Sequence, residues 1–361
     1  MIVKSLKLKN FRNYDLLELE FDSSTNIFYG DNAQGKTNIL ESVYLTGTTK
    51  SHRGTKDRDL IKFGEEEAHI ETIVEKKGVP FKIDIHLKKN SPKGIAINKM
   101  PIRRASELFG IINIVFFSPE DLNIIKNGPA ERRRFIDLEL AQLDKVYLSD
   151  LSNYNRIVNQ RNKLLKDVYE RSDLMSTLDV WDMQLVNYGN KIINRRKIFI
   201  SQLNEIIGNV HEKLTGGRER LQLIYEPGVK NDSFEDALFK NRERDIRMKA
   251  TSVGPHRDDI CFMCDNLDIR KFGSQGQQRT AALSLKLAEI ELVKQEVKDT
   301  PILLLDDVLS ELDKHRQNYL LDSIKDIQTL ITCTGLDDFV NHRFSINKIL
   351  HVEQGNVMKE N

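Results

Sequence analysis

Gly30-Asp31-Asn32-Ala33-Gln34-Gly35-Lys36-Thr37 fits the pattern G-x-x-x-x-G-K-[ST], and what flanks it decides how the chain folds. The preceding Asn26-Ile27-Phe28-Tyr29 reads as a short buried strand, and the residues that follow, Asn38 to Leu45, set apolar side chains at helical spacing. In a strand, glycine loop and helix, backbone N–H groups turn inward around phosphate oxygens, where a Cβ would crowd the ligand. The positive end of the helix faces the same anion. With glycine at about 7% of residues, the fixed positions recur by chance in roughly one chain in a hundred of this length. The plain alternative is a solvated turn with a helix-capping threonine. The pattern together with its flanks reads as a nucleotide site, with Lys36 reaching the outer phosphates and the Thr37 hydroxyl ligating Mg²⁺.

A second stretch completes that chemistry. Pro301-Ile302-Leu303-Leu304-Leu305-Asp306-Asp307 is a buried strand ending in two carboxylates. It delivers Asp306 to the sheet edge as a second metal ligand and places Asp307 to orient or deprotonate an attacking water. The alternative is that both acids merely cap the helix after Ser310-Glu311-Leu312-Asp313. A third stretch, Phe272-Gly273-Ser274-Gln275-Gly276-Gln277-Gln278-Arg279, lies before an expected helix, Thr280–Glu296, and is another anion-seeking helix start. Gly30–Thr37 already cradles one triphosphate. Ser274, Gln275, Gly276 and Gln277 therefore make sense as a loop that closes over the nucleotide of a second copy, in isologous pairing.

Composition sets bounds. The 361 residues suffice for one large domain or two to three smaller ones, and Lys+Arg 55 against Asp+Glu 54 leaves a net charge of +1. No bulk positive field marks a nucleic-acid binder, so any DNA surface must come from local clustering. Three cysteines point to a reducing compartment. The C-x-x-C at Cys261 and Cys264 lacks a second pair, so packed thiols are expected rather than zinc. With no signal peptide and no apolar run long enough for a bilayer, a soluble cytoplasmic protein without a membrane partner is expected.

In chain order, Ile2–Lys9 and Leu17–Phe21 alternate as half-exposed strands around Asn10-Phe11-Arg12-Asn13-Tyr14. Arg12 is there either a solvated turn residue or a side chain returning to the nucleotide. Ile70–Glu75 and Phe81–Leu87 read as antiparallel strands, and Ile111–Phe117 as a buried central strand. From about Gly128 the texture becomes helical. Two long amphipathic helices are expected to pair as an antiparallel hairpin projecting roughly 40 Å at 1.5 Å per residue. Arg103-Arg104, Arg132-Arg133-Arg134 and Arg195-Arg196-Lys197 read as solvated faces.

Taken together, the phosphate loop, the Ser274-Gln275-Gly276-Gln277 signature and the Leu303–Asp307 strand followed by Ser310-Glu311-Leu312-Asp313 resemble an ATP-binding-cassette ATPase. Within that superfamily Asn10–Tyr14, Gln34–Glu41, Phe117-Ser118-Pro119-Glu120-Asp121-Leu122 and Gly254-Pro255-His256-Arg257-Asp258-Asp259 resemble the RecF family of bacterial recombination-repair proteins, nearly end to end. The resemblance implies an α/β fold, an ABC-type, SMC-head-like P-loop ATPase with a mixed sheet and an inserted helical arm. Residues 1–117 would form the N-terminal lobe of the head, 118–220 the arm and 221–361 the C-terminal lobe. It implies ATP and Mg²⁺ as cofactors, with Thr37 and Asp306 on the metal and Ser274 and Gly276 on a partner's γ-phosphate. It further implies ATP-dependent homodimerisation around double-stranded or gapped DNA, weak DNA-dependent ATP hydrolysis that releases the clamp, and work with RecO and RecR to load RecA. Ile331-Thr332-Cys333-Thr334 occupies the place where many cassette ATPases carry a switch histidine. The rival readings are a transporter's nucleotide-binding subunit, which does not usually carry such a helical insertion, and an ATP-dependent repair scaffold without DNA contact.

Overall fold

The computed structural model describes residues 1–170, 174–229, 233–336 and 347–359. In chain order its elements are β1 (Ile2–Phe11), β2 (Tyr14–Glu20), β3 (Thr25–Tyr29), α1 (Lys36–Thr48), β4 (Glu67–Lys76), β5 (Val79–Lys88), β6 (Ser91–Ile97), β7 (Met100–Pro101) and β8 (Ile114–Phe117). The helices α2 (Leu122–Lys126), α3 (Pro129–Leu143), α4 (Lys145–Glu170) and α5 (Met175–Thr215) follow, then β9 (Leu221–Glu226), α6 (Phe234–Lys240) and α7 (Arg242–Met248). The chain continues through β10 (Asp259–Cys264), β11 (Leu267–Asp268), α8 (Ile269–Phe272), α9 (Gln275–Val297), β12 (Ile302–Asp306), α10 (Lys314–Ser323), β13 (Thr329–Cys333), β14 (Lys348–Glu353) and β15 (Asn356–Lys359).

Two compact units result, one of Met1–Asp121 with Leu285–Asn361 and the other of Leu122–Ser284. The first unit carries an antiparallel sheet ordered β2-β1-β4-β5-β6-β7 and a second sheet ordered β15-β14-β3-β13-β12-β8. In β1 a register shift between Val3 and Ser5 breaks the alternation, which is why Val3 and Leu6 are both buried despite odd spacing. The second sheet is parallel apart from the β14–β15 hairpin. Of its parallel strands, β8, β12 and β13 are buried along their whole length and read as near-continuous apolar runs because both faces are covered. β8 is fully buried, as its sequence suggests, yet it ends the sheet order instead of lying at its centre. Tyr44 of α1 packs edge-on against Phe116 and the Lys286 ammonium lies over the Phe117 ring, which hides this edge strand.

The second unit holds the expected helical hairpin. Leu165 and Val168 of α4 pack on Leu178 of α5, while nearer the start of α4 Arg161 reaches Asp182, an antiparallel order. The 41-residue α5 exceeds the expected length. Residues 221–284, assigned from sequence to the C-terminal lobe, cluster with these helices, because β9 packs along α5 and β10 on α3. The arginine clusters are not all solvated faces: Arg132 and Arg196 are buried. Arg132 Nε and Nη2 clamp Asp259 at 2.5 and 3.1 Å, and Arg196 Nη1 donates to Asp258 Oδ2 at 2.7 Å. Their acids lie 127 and 62 residues away in the chain, out of reach of any local pattern. Arg103, Arg104 and Arg134 are exposed. Among the described residues no helix is long and apolar enough to cross a membrane. All three cysteines are buried and none is in a disulfide.

Candidate nucleotide site

β13 lies between β3, which leads into the glycine loop, and β12, which ends at Asp306. The register pairs Asp306 with Thr332, and Thr332 with Phe28, so the loop and the acids emerge at the same carboxyl edge of the sheet, where open α/β sheets bind ligands. Gly30 has φ 144° and Gly35 φ 114°. A Cβ on Gly30 would sit 2.4 Å from the Val352 carbonyl oxygen, and one on Gly35 2.5 Å from the Asn13 amide. Both positions therefore require glycine. Gly35 caps α1 without a side chain, which leaves the first-turn N–H groups facing the loop.

Around this edge opens a cavity of about 530 Å³, lined among others by Asn32, Ala33, Lys36, Thr37, Asp306 and Asp307. Lys36 is buried, and its Nζ donates to the carbonyls of Gly30 and Asp31 at 2.6 and 2.7 Å. Burial lowers its pKa, against the opposing charges of Asp307, Cys333, Asp306 and Asp31. The Thr37 hydroxyl donates to Asp306 Oδ1 at 2.7 Å, across 269 residues of sequence. Hydroxyl and carboxylate are the hard oxygen donors that Mg²⁺ takes alongside water and phosphate, so this pair fits that ion. Asp307 follows at φ 52°, a conformation held by its N–H donating to the Thr332 hydroxyl at 3.1 Å, while Ser310 Oγ donates to the Asp307 carbonyl at 2.9 Å.

Gly30, Asp31 and Gln34, expected to hold the nucleotide, are not among the residues that line the cavity. Gln34 Oε1 accepts from the Gln354 N–H at 2.7 Å, which ties the loop to the β14–β15 turn. Arg12 does not line the cavity. Its Nε and Nη2 donate to the buried Glu41 carboxylate at 2.8 and 3.0 Å, and Nη1 to the Asp59 carbonyl at 3.0 Å. Burial pushes the Glu41 carboxyl up, but hydrogen bonds from Arg12 and Ser51 and the charges of Arg12 and His52 outweigh it and hold the group below its ordinary range. The Ser274–Gln277 stretch belongs to the other unit. It differs from the expectation in being helical already: α9 starts at Gln275, five residues ahead of Thr280. Ser274 Oγ accepts from the Gln277 N–H at 3.2 Å and Gln277 Oε1 from the Ser274 N–H at 2.9 Å, a reciprocal capping box. Ser274, Gln275 and Gly276 are exposed.

The family described as "RecF/RecN/SMC N terminal domain" matches residues 2–357. Over 357 residues the chain is 65% identical to the DNA replication and repair protein RecF of Agathobacter rectalis, covering 99% of each, and over 364 residues 44% identical to that of Clostridium tetani, covering 98% and 99%. The chain belongs to the RecF family. A solved RecF, described as the recombination mediator protein with ATPrS in the RecFOR pathway, superposes with TM-score 0.92 at 36% identity over 99% of this chain and 98% of that one. A second, with ATP, gives TM-score 0.93 at 35% identity over 99% and 97%. An SMC head domain from Pyrococcus furiosus, at TM-score 0.58 and 17% identity over 99% and 96%, shares the fold alone. The architecture is thus that of an ABC-type, SMC-head-like P-loop ATPase, in a family of DNA replication and repair proteins.

Two features of this RecF-family site were missed by reasoning from sequence. Thr332, read only as standing in the switch-histidine place, lines the cavity and donates to Asp306 Oδ1 at 2.7 Å. His52 and Arg53, which belong to none of the motifs, also line it, with the His52 ring stacked on Phe116 at 4.2 Å between centroids. Ser118, Pro119 and Glu120 lie on the same wall. The S-x-x-Q spacing at Ser274 was a visible signal; Thr332 and the His52–Phe116 stack carried none, because strand order and a separation of 64 residues create them.

Proposed function

We propose that this chain is an ATP-driven DNA clamp. It binds ATP with Mg²⁺ at Gly30–Thr37 and Asp306, pairs with a second copy across the nucleotides to enclose double-stranded or gapped DNA, and lets go on slow hydrolysis. The observation that carries the reading is the Thr37–Asp306 hydrogen bond at 2.7 Å beside the Lys36 ammonium, which gathers the phosphate loop and the acidic strand end into one cavity. The RecF relatives whose names mention ATP and the RecFOR pathway support it.

In this reading Lys36 exchanges its loop carbonyls for outer phosphate oxygens, while Thr37 and Asp306 are the metal ligands. Mg²⁺, when bound, would offset the charge of those phosphates. Asp307 orients the attacking water and accepts its proton. It stands where transporter relatives carry Glu, and one methylene less leaves its carboxylate farther from the water, in keeping with the slow turnover of a switch. Ser274 and Gly276 contact the partner copy's γ-phosphate, with Gln275 and Gln277 in the same loop, a role that the exposure of Ser274, Gln275 and Gly276 supports. Within the cytoplasm the clamp would act with RecO and RecR in loading RecA during recombinational repair and fork restart.

Sizing in solution tests this. Wild type with a non-cleavable ATP analogue and gapped DNA is expected to run as a dimer, and Lys36→Ala as a single copy. Ser274→Arg is expected to bind nucleotide yet stay unpaired. A single copy of the wild type under every condition overturns the proposal.

A further inference from the structure

Within the second unit three side chains from separate stretches converge. His211 belongs to the last turns of α5, Glu219 to the loop before β9 and Cys264 to the end of β10. Their ligand atoms lie within 4.8 Å of one another, with His211 Nε2 3.5 Å and Cys264 Sγ 3.7 Å from Glu219 Oε2. Tetrahedral zinc bonds of about 2.0–2.3 Å place neighbouring ligand atoms about 3.3–3.7 Å apart, so the cluster needs little movement to close on an ion. His211 and Cys264 are buried and Glu219 is half-buried, which gives the ion an entrance on the carboxylate side.

The surrounding hydrogen bonds prepare each ligand. Ser284 Oγ donates its single proton to the Thr280 carbonyl at 2.8 Å, so its 2.9 Å contact with His211 Nδ1 makes that nitrogen the donor in the neutral ring. Nε2 is then the basic nitrogen, the form a metal binds, and it faces the cluster. Glu219 offers Oε2 to the cluster while Oε1 accepts from Gln277 Nε2 at 3.0 Å, as ligating carboxylates commonly do.

We propose that His211, Glu219 and Cys264 form a binding site for a thiophilic divalent cation of the Zn²⁺ class, with water as the fourth ligand and Gln277 joined to it through Glu219. Burial and the neighbouring Glu219 and Asp265 push the Cys264 thiol up to about 11, so the metal-free site holds a protonated thiol. Binding forms the Zn–S bond and releases that proton to solvent. One imidazole, one carboxylate and one thiolate leave the occupied site neutral. Occupancy also fixes Glu219, and with it the capping box that opens α9.

The full chain, dialysed against a chelator, is titrated with Zn²⁺ in competition with a chromophoric chelator, and with Co²⁺ in the near ultraviolet, where thiolate-to-cobalt charge transfer reports Cys264. Uptake of one Zn²⁺ per chain is expected at micromolar free metal, with loss in Cys264→Ser and His211→Gln. Ser284→Ala, which leaves every ligand in place, is expected to weaken binding about 10- to 100-fold and serves if the ligand variants fail to fold, as read by circular dichroism. Amide hydrogen exchange across Ser274–Gln277 is expected to slow on Zn²⁺ addition. Absence of uptake by the wild type, or uptake unchanged in Cys264→Ser and Ser284→Ala, overturns the site. Unchanged exchange overturns its link to the loop. No arm contains nucleotide, so failure of the clamp reading leaves these results intact.

Discussion

One hydroxyl at position 332 serves two acids: it donates to the Asp306 carboxylate and accepts from the Asp307 N–H. Thr332→Val keeps the shape and removes both bonds. Hydrogen bonds to charged groups contribute about 1.5–3 kcal/mol, so ATP turnover at limiting Mg²⁺ is expected to fall about 10- to 100-fold, with ATP binding changed far less. A Mg²⁺ titration of steady-state hydrolysis checks it. Arg12 gives a contrasting case. Its guanidinium neutralises Glu41, whose side chain is 0% exposed. Removing one partner of a buried pair costs about 3–5 kcal/mol, so Arg12→Ala is expected to lower the urea midpoint in the absence of ATP. Unaltered stability with weakened ATP binding would return Arg12 to the nucleotide. The phosphate loop and the two acids were legible in the sequence because each is a contiguous stretch with its own chemistry. Thr332 and the Arg12–Glu41 pair were not, since strand order and a 29-residue separation create them.

At the scale of elements, the stretch Gly254–Asp259 ties the second unit together. Asp258 receives Arg196 at its Oδ2 and the Gly228 N–H at its Oδ1, at 2.7 Å each. Asp258→Ala strands the buried Arg196 charge and is expected to cost about 3–5 kcal/mol by chemical denaturation. His256 in the same turn donates from Nε2 to the Thr251 carbonyl at 3.0 Å and accepts at Nδ1 from the Tyr154 hydroxyl at 2.8 Å, so its ring is neutral. Burial lowers its pKa from 6.5 to about 4, with Arg257 and Arg133 pushing the same way and the Thr251 bond and Asp245 opposing. Between those values the unfolded chain binds more protons than the folded one. Stability is therefore flat above about pH 6.5 and declines as pH falls towards 4, by at most about 3 kcal/mol. Subtracting the urea midpoints of His256→Gln from those of wild type between pH 7 and 4.5 isolates this slope. The alternating strands and the helical hairpin could be read from periodicity. The early start of α9 was legible too, because serine and glutamine three apart cap a helix that glycine at 276 only weakens. β8 could not be placed: an apolar run reports burial, not rank within a sheet.

For the whole molecule, the expected behaviour is that of two copies holding each other through nucleotide. Asp307→Asn is expected to bind ATP and remain paired for many times longer than wild type, since water activation is lost and binding is kept. Ordinary turnover by that variant would move the role elsewhere. DNA retention is expected to weaken steeply with salt, because phosphate contacts release counterions, and a flat dependence would favour a scaffold without DNA contact. The near-balanced charge of +1 means that such contacts are local. The phosphate loop and the signature stretch fall in different compact units, a separation that the order of motifs along the chain does not reveal, since β9 and β10 side with the long helices.

Lys36 already spends its ammonium on the Gly30 and Asp31 carbonyls. On the proposed reading an incoming nucleotide competes with those carbonyls for the amine, and only a phosphate tail long enough to reach it gains the contact. On that reading a monophosphate too short to reach the amine gains nothing from it, and the lysine's resting posture favours the longer phosphate chain.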